Sequence, residues 1–370
     1  MDPLDLVPSA PHRASARLIA PAAEAGSTDG LRSDLAASRP EEIVEIVAAH
    51  HVETVVATAF ELQDLRKLVP RDLIVFFSEM QQANRRRHEL LRAQLLEIGR
   101  AAAGRGLRLV ALKGGAELLS PVHRVRGQRY ISDLDLLAAE TEIDAARDML
   151  HDLGAHEADI AEINIRDHYH LAPFLKEDWP AQVELHRALG PAELFRSLRS
   201  CDVLARALPS GHPGLGVPSP ADRILHLVLH ARKDAGEQHR FRVSLRDVHE
   251  FQAMRTAFPR KELDAARARL PTQSASAPFS LLEGMACALF TPAGWDDLAP
   301  QTRHLAEQAL VTFGNPADQR QRETLHWLRH YAHALLADPE RRRHYMREFL
   351  RPGGLRDWWA FHRDRRRRIR

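Results

Sequence analysis

Residues 132–137, Ser-Asp-Leu-Asp-Leu-Leu (SDLDLL), decide the fold. In a strand, successive side chains point to opposite faces. Asp133 and Asp135 then project together, while Leu134 and Leu136 enter a core. Two adjacent carboxylates repel each other, and a pair held beside a buried sheet calls for a neutralising cation. Mg²⁺, or Mn²⁺ in its place, suits such a pair, because it takes oxygen ligands and is completed by substrate phosphates. Relief of the repulsion predicts that Asp135→Asn leaves stability unchanged or slightly raised.

Val-Glu-Leu-His at 183–186 repeats the alternation, with Glu184 and His186 on one face. If this strand lies beside Leu134–Ala138, Glu184 becomes a third carboxylate. Three carboxylates can serve two metal ions, one activating a hydroxyl and one bracing a triphosphate. Upstream, Leu107–Leu112 (LRLVAL) is short, branched and apolar, the texture of a strand. Lys113-Gly114-Gly115 follows it directly and opens a helical stretch, AELLS. A glycine pair there lets backbone N–H groups approach phosphate oxygens, and the helix dipole favours the anion. Lys113 supplies a point charge to a phosphate. Arg129, four residues before Asp133, could clamp another phosphate or pair with Asp133.

Strand, Gly-Gly, helix and Asp-x-Asp in this order resemble the nucleotidyltransferase superfamily of DNA polymerase β type. The fuller set comprises LKGGAELL at 112–119, RYISDLDLL at 129–137, VELH at 183–186 and DRILHLVLHA at 222–231. It looks like the bacterial family of uncharacterised nucleotidyltransferases, over roughly residues 71–255. The resemblance implies that Asp133, Asp135 and Glu184 ligate metal and that Gly114 and Gly115 form the nucleotide-phosphate loop. It also places the later helical region beside the site, which makes His230 and Asp247 second-tier candidates. One departure is that Ala116 follows the second glycine, where the wider superfamily commonly has Ser.

The rest of the chain sets the frame. Leu73, Phe76, Phe77, Met80, Leu91, Leu95 and Ile98 recur at helical spacing, so 71–103 reads as one long amphipathic helix ended by Gly104 and Gly106. Thr141 reads as the start of a further helix, with Asp144 as its capping-box partner and Gly154 at its end. His168–Leu175 and Gln182–His186 read as two strands. After Pro191 the pattern is helical, interrupted by PSGHPGLGVPSP, read as a separator. The expected class is α+β: a small mixed sheet with flanking helices, plus an all-α C-terminal half. The expected divisions are a flexible extension over 1–38, the catalytic core over 39–190, and a helical domain with a basic tail over 191–370.

Formal net charge is only +2 in 370 residues, so the whole chain is not a polycation built for nucleic acid. Residues 341–370 nevertheless hold twelve Arg against three acids. Trp358, Trp359 and Phe361 there read as the packed face of a terminal amphipathic helix. Two cysteines without metal or disulfide spacing fit a reducing cytoplasm. The start, MDPLDLVPSAPHR, lacks the basic and apolar regions of a secretory signal, and no apolar run is long enough to span a membrane. His226 and His230, four apart on one helical face, read as site-lining or structural, since two ligands do not make a zinc site.

The function this implies is transfer of a nucleoside monophosphate from an NTP to an acceptor: a small molecule, peptide or protein. The alternative is an inactive nucleotidyltransferase fold whose Arg-rich C-terminus engages RNA or a partner protein.

Overall fold

The computed structural model describes residues 2–20, 26–62, 65–159, 169–235, 243–313, 315 and 343. The Arg-rich segment, its Trp pair and Phe361 lie outside the described residues, Arg343 excepted. The fold is α+β, as expected.

The sheet has seven strands: β1 (Leu109–Ala111), β2 (Leu134–Leu137), β3 (His156–Glu157), β4 (Phe174–Leu175), β5 (Val183–His186), β6 (Leu208–Pro209) and β7 (Leu215–Val217). Their spatial order is β3-β4-β5-β2-β1-β7-β6. β2 lies at the centre, parallel to β5 and antiparallel to β1. Both faces of a central strand are covered, which is why all four residues of β2 are buried.

Helix α5 (Arg71–Gly104) backs this sheet with Leu91, Leu95 and Ile98. Phe76 and Met80, counted on the apolar face by spacing, are instead 40% and 38% exposed. Gln81, Asn84 and Gln94 are buried, and each amide binds a partner across the core. Gln81 donates to Thr58 Oγ1, Asn84 to the carbonyls of Gly127 and Arg129, and Gln94 to that of Ala181. Arg87 of the same helix donates to the carbonyls of Ile131, Ser132 and Pro180. One helix thus fixes the chain just before Asp133 and just before Glu184.

Two expectations fail for physical reasons. The stretch read as a separator forms β6 and β7, and β7 pairs parallel to β1, so the sheet recruits strands from beyond residue 190. One of its glycines is demanded by packing. Gly214 has φ +69, and a Cβ there would lie 2.2 Å from the Gly99 carbonyl of α5. The described residues of 1–38 do not form a loose extension either. Helices α1 (Ala10–Ile19) and α2 (Gly26–Ala36) follow a short 3₁₀ turn at Pro3–Leu6. Alanine favours helix, and Ala14, Leu18 and Ile19 bury in the same core as the C-terminal helices. Buried Arg17 pairs with Asp34 and reaches back to Asp2 and Asp5.

α3 (Pro40–Ala49) and α4 (Glu53–Leu62) complete the N-terminal helices. α6 (Lys113–Leu119) leaves β1, and α7 (Ile143–Asp152) follows β2. α7 is preceded by a 3₁₀ turn at Glu140–Glu142 and has no side-chain cap, so the Thr141–Asp144 box does not form. Gly154, at φ +85, does follow its end. Only Phe174–Leu175 of the anticipated 168–175 strand pairs as a strand, with an isolated bridge from His170 to His186; residue 168 lies outside the described residues. α8 (Ser200–Arg206) precedes the β6–β7 hairpin, and α9 (Pro220–Ala235), α10 (Leu245–Ala257), α11 (Arg260–Ala268), α12 (Gln273–Phe290) and α13 (Pro300–Phe313) form the helical half. Among the described residues, no single helix is long and apolar enough to cross a membrane.

Candidate functional site

The parallel register of β2 and β5 sets Asp135 opposite Glu184 and Leu137 opposite His186. Leu134, Leu136, Val183 and Leu185 bury in the core beneath the sheet. Asp133 lies one residue before β2 and is partly exposed. Lys113 begins α6 at φ +42, a left-handed backbone that few lysines adopt. Its ammonium donates to Asp135 Oδ1 at 2.8 Å. His186 Nε2 meets the same oxygen at 2.8 Å and lies 3.6 Å from Glu184 Oε2. Asp135 is 1% exposed, so its charge survives only because these groups compensate it.

The titration directions follow. Burial alone would raise the Asp135 carboxyl, but the Lys113 charge and the His186 hydrogen bond outweigh it and hold the group well below the usual range. Burial would lower Lys113, yet Asp135 drives it up. His186 is raised, since its bonds to Asp135 and Glu184 exceed the cost of burial. Glu184 is lowered, its own burial outweighed mainly by His186. Asp133 goes the other way, pushed up by burial and then by the neighbouring charge of Asp135.

The repulsion seen in the sequence therefore falls on Asp133. Asp135 is a paired carboxylate, and the expectation that its neutralisation is harmless to stability is replaced by an expected loss. Ligand atoms of Asp135, Glu184 and His186 lie within 4.8 Å of one another. Asp135 Oδ2 is buried without a hydrogen-bond partner among the described residues. An open buried oxygen amid further acids and an imidazole fits a divalent cation. The 4.8 Å group does not include Asp133.

Residues 36–290 match the profile of a family described as uncharacterised nucleotidyltransferase. The chain belongs to this family. Membership supports a nucleotidyltransferase function in general, with an NTP as substrate. Comparison with curated proteins gives no match.

Other candidates of this nucleotidyltransferase fall into two places. His230 Nε2 lies 3.5 Å from Lys233 Nζ, which donates to the Tyr169 hydroxyl at 2.9 Å. Tyr169 stacks on His186, with ring centroids 5.6 Å apart, so α9 reaches the site through this chain of contacts. His226 is buried, and desolvation drives its imidazole well below the ordinary value. It makes an edge contact with His230, and neither belongs to a metal-capable group among the described residues.

Arg129 and Asp247 find their ion-pair partners on α10. Arg129 forms an ion pair with buried Glu250 of α10, not with Asp133. Burial lowers its guanidinium to about 10. Asp247 pairs with its neighbour Arg246 at 3.3 Å. Glu117 of α6 belongs to a second buried charge network, where it pairs with His123 and Arg223. Gly114 and Gly115 sit in the first turn of α6. A Cβ on Gly114 would lie 2.7 Å from Ile131, and one on Gly115 would lie 3.2 Å from the Ala111 Cβ. Close packing thus already requires these glycines small.

Sequence reasoning placed His186 on the face of Glu184 without assigning it to the site, although the period of two in VELH carried that signal. Tyr169, His170 and Lys233 were missed, because their approach depends on how β5 and α9 dock.

Proposed function

We propose that this protein catalyses Mg²⁺- or Mn²⁺-dependent transfer of a nucleoside monophosphate from an NTP to an acceptor, as enzymes of the polymerase-β-type superfamily do. The reading rests on one observation above all: Asp135 and Glu184 stand opposite each other on paired strands, with Asp133 two residues before Asp135. Asp133, Asp135 and Glu184 would hold the cation, which when bound supplies charge neutralisation at the phosphates. Lys113 stays charged, because Asp135 drives its ammonium up, and so offers a fixed positive charge to a phosphate oxygen. The first-turn N–H groups at Gly114 and Gly115 face the anion as a helix N-terminus does.

In the transfer, an acceptor hydroxyl oxygen forms a bond to the α-phosphorus. The bond to the bridging oxygen breaks and pyrophosphate leaves. The hydroxyl proton passes to a carboxylate of the site. Lys233 and His230 on α9 approach the site from the helical side, where the acceptor would enter.

The test is incubation of the full chain with each labelled NTP, Mg²⁺ or Mn²⁺, and a cell extract, followed by identification of the labelled product. Transfer that is lost in Asp135→Asn supports the reading. Absence of label transfer from all four NTPs, or wild-type turnover in Asp135→Asn, overturns it.

A further inference from the structure

We propose that His186 is itself a nitrogen ligand of the divalent cation, so that this centre takes Mn²⁺ in preference to Mg²⁺. The inference rests on the cation-binding reading of the site and goes beyond the three carboxylates.

The orientation of the imidazole carries it. His186 is 1% exposed, so its ring is fixed within the core. Its Nδ1 lies 3.2 Å from the carbonyl oxygen of Ala188. A carbonyl only accepts, so Nδ1 carries a proton; Nε2 donates to the Asp135 carboxylate and is the nitrogen a metal would take in place of that proton. That nitrogen points at the carboxylates, 2.8 Å from Asp135 Oδ1 and 3.6 Å from Glu184 Oε2. Metal-ligating histidines commonly donate their second N–H to a backbone carbonyl in this way, which fixes the tautomer and the ring. A cation entering between Nε2 and the carboxylates exchanges for the proton shared there.

His170 repeats the pattern at the rim. Its Nδ1 lies 2.7 Å from the Leu171 carbonyl oxygen, and its Nε2 lies 3.8 Å from Glu184 Oε2. The bridge between His170 and His186 holds the two rings 5.3 Å apart beside the same carboxylate. The donor set is therefore mixed oxygen and nitrogen. Mg²⁺ is hard, demands oxygen ligands and dehydrates reluctantly. Mn²⁺ shares the affinity of Mg²⁺ for carboxylate and phosphate, and as a softer transition ion it accepts an imidazole nitrogen more readily than Mg²⁺ does.

The experiment uses the full chain and the metal alone, without nucleotide. Calorimetry measures Mg²⁺ and Mn²⁺ affinity, and pulsed electron paramagnetic resonance of bound Mn²⁺ detects coupling to ¹⁴N. The expected result is one Mn²⁺ bound at least ~10-fold tighter than Mg²⁺ with clear ¹⁴N modulation, the scale that ligand-shell changes produce. In His186→Gln the modulation disappears and the preference for Mn²⁺ collapses, while a thermal melt shows the variant folded. If that variant does not fold, the wild-type ¹⁴N signal must persist in His170→Gln, and its loss there overturns the inference. Mn²⁺ bound without ¹⁴N coupling overturns the inference and leaves the transfer reading standing. A ¹⁴N signal that survives in folded His186→Gln belongs to another histidine and also overturns it. Binding of neither cation by the free protein overturns the inference, whereas nitrogen-ligated Mn²⁺ without any transfer from NTP overturns only the proposed function.

Discussion

Asp222, in the first turn of α9, and Asp135, in the middle of β2, are 0% and 1% exposed, and both carboxyls titrate below the ordinary range. Their partners differ. Asp222 accepts Arg206 on both oxygens, Arg269 on one and the Ser219 hydroxyl on the other. Both oxygens are saturated by cations and a hydroxyl, and no further ligand can enter. Asp135 receives Lys113 and His186 on a single oxygen, while the second stays open. Its nearest acidic neighbours, Asp133 and Glu184, leave net negative charge in place. A saturated buried carboxylate is structural glue, whereas one kept half-open beside like charges is held ready for a cation.

The sharpest break of this comparison is Asp222→Asn. Removing one partner of a buried ion pair costs about 3–5 kcal/mol. Denaturant melts should show a loss of that order, with metal binding and turnover per folded molecule unchanged. The pH dependence has a definite sign. The folded-state value of Asp222 is depressed, so its contribution is complete above the unfolded carboxyl value near ~4 and fades as pH falls through the folded value. The difference between wild type and Asp222→Asn should therefore shrink in acid. A constant difference down to pH ~2 would break the saturation argument.

Asp135→Asn is the counterpart. Turnover should fall on the order of 100-fold or more, as when a key electrostatic group is lost. Stability should also fall, because Lys113 and His186 lose their shared acceptor. A variant that melts like wild type yet has lost turnover would show that the ion pairs carry no folding energy. Gly114→Ala probes the turn beside Lys113. A Cβ 2.7 Å from Ile131 forces the two apart, and such overpacking costs about 1–3 kcal/mol, readable by chemical denaturation.

The smallest effect is expected at Asp133. Its carboxyl is pushed up, so ionisation costs stability, and that cost appears as pH rises through the raised value. Asp133→Asn should gain less than ~1 kcal/mol near neutrality, because the group is partly screened by solvent. The same variant should lose metal affinity in calorimetry. A destabilised Asp133→Asn would mean that repulsion among the acids is not the controlling force.

Much of this was legible in residues 107–137 and 182–186. The period of two in SDLDLL and VELH anticipated the strands that set Asp135 opposite Glu184, and the long helix of 71–103 ends where its glycines fall. The hairpin at 208–217 was not legible, since Gly214 serves a close approach to Gly99 that exists only once α5 is packed. Arg129 looked like a partner for Asp133 by its spacing, but the loop between them turns it to Glu250.

By itself the sequence determined which residues can share a strand face, because alternation is a local property of the backbone, and it thereby determined that three acids could converge. Which of them meet depended on the register of β2 against β5, a contact between residues far apart in the chain, and it sets Asp135 opposite Glu184. The same tertiary packing decided how much charge each acid carries. Lys113, delivered by a left-handed turn, and His186, delivered across the strand pair, neutralise Asp135 and leave the repulsion to Asp133. A side chain's titration depends on the charges and burial around it in space, and those belong to the fold.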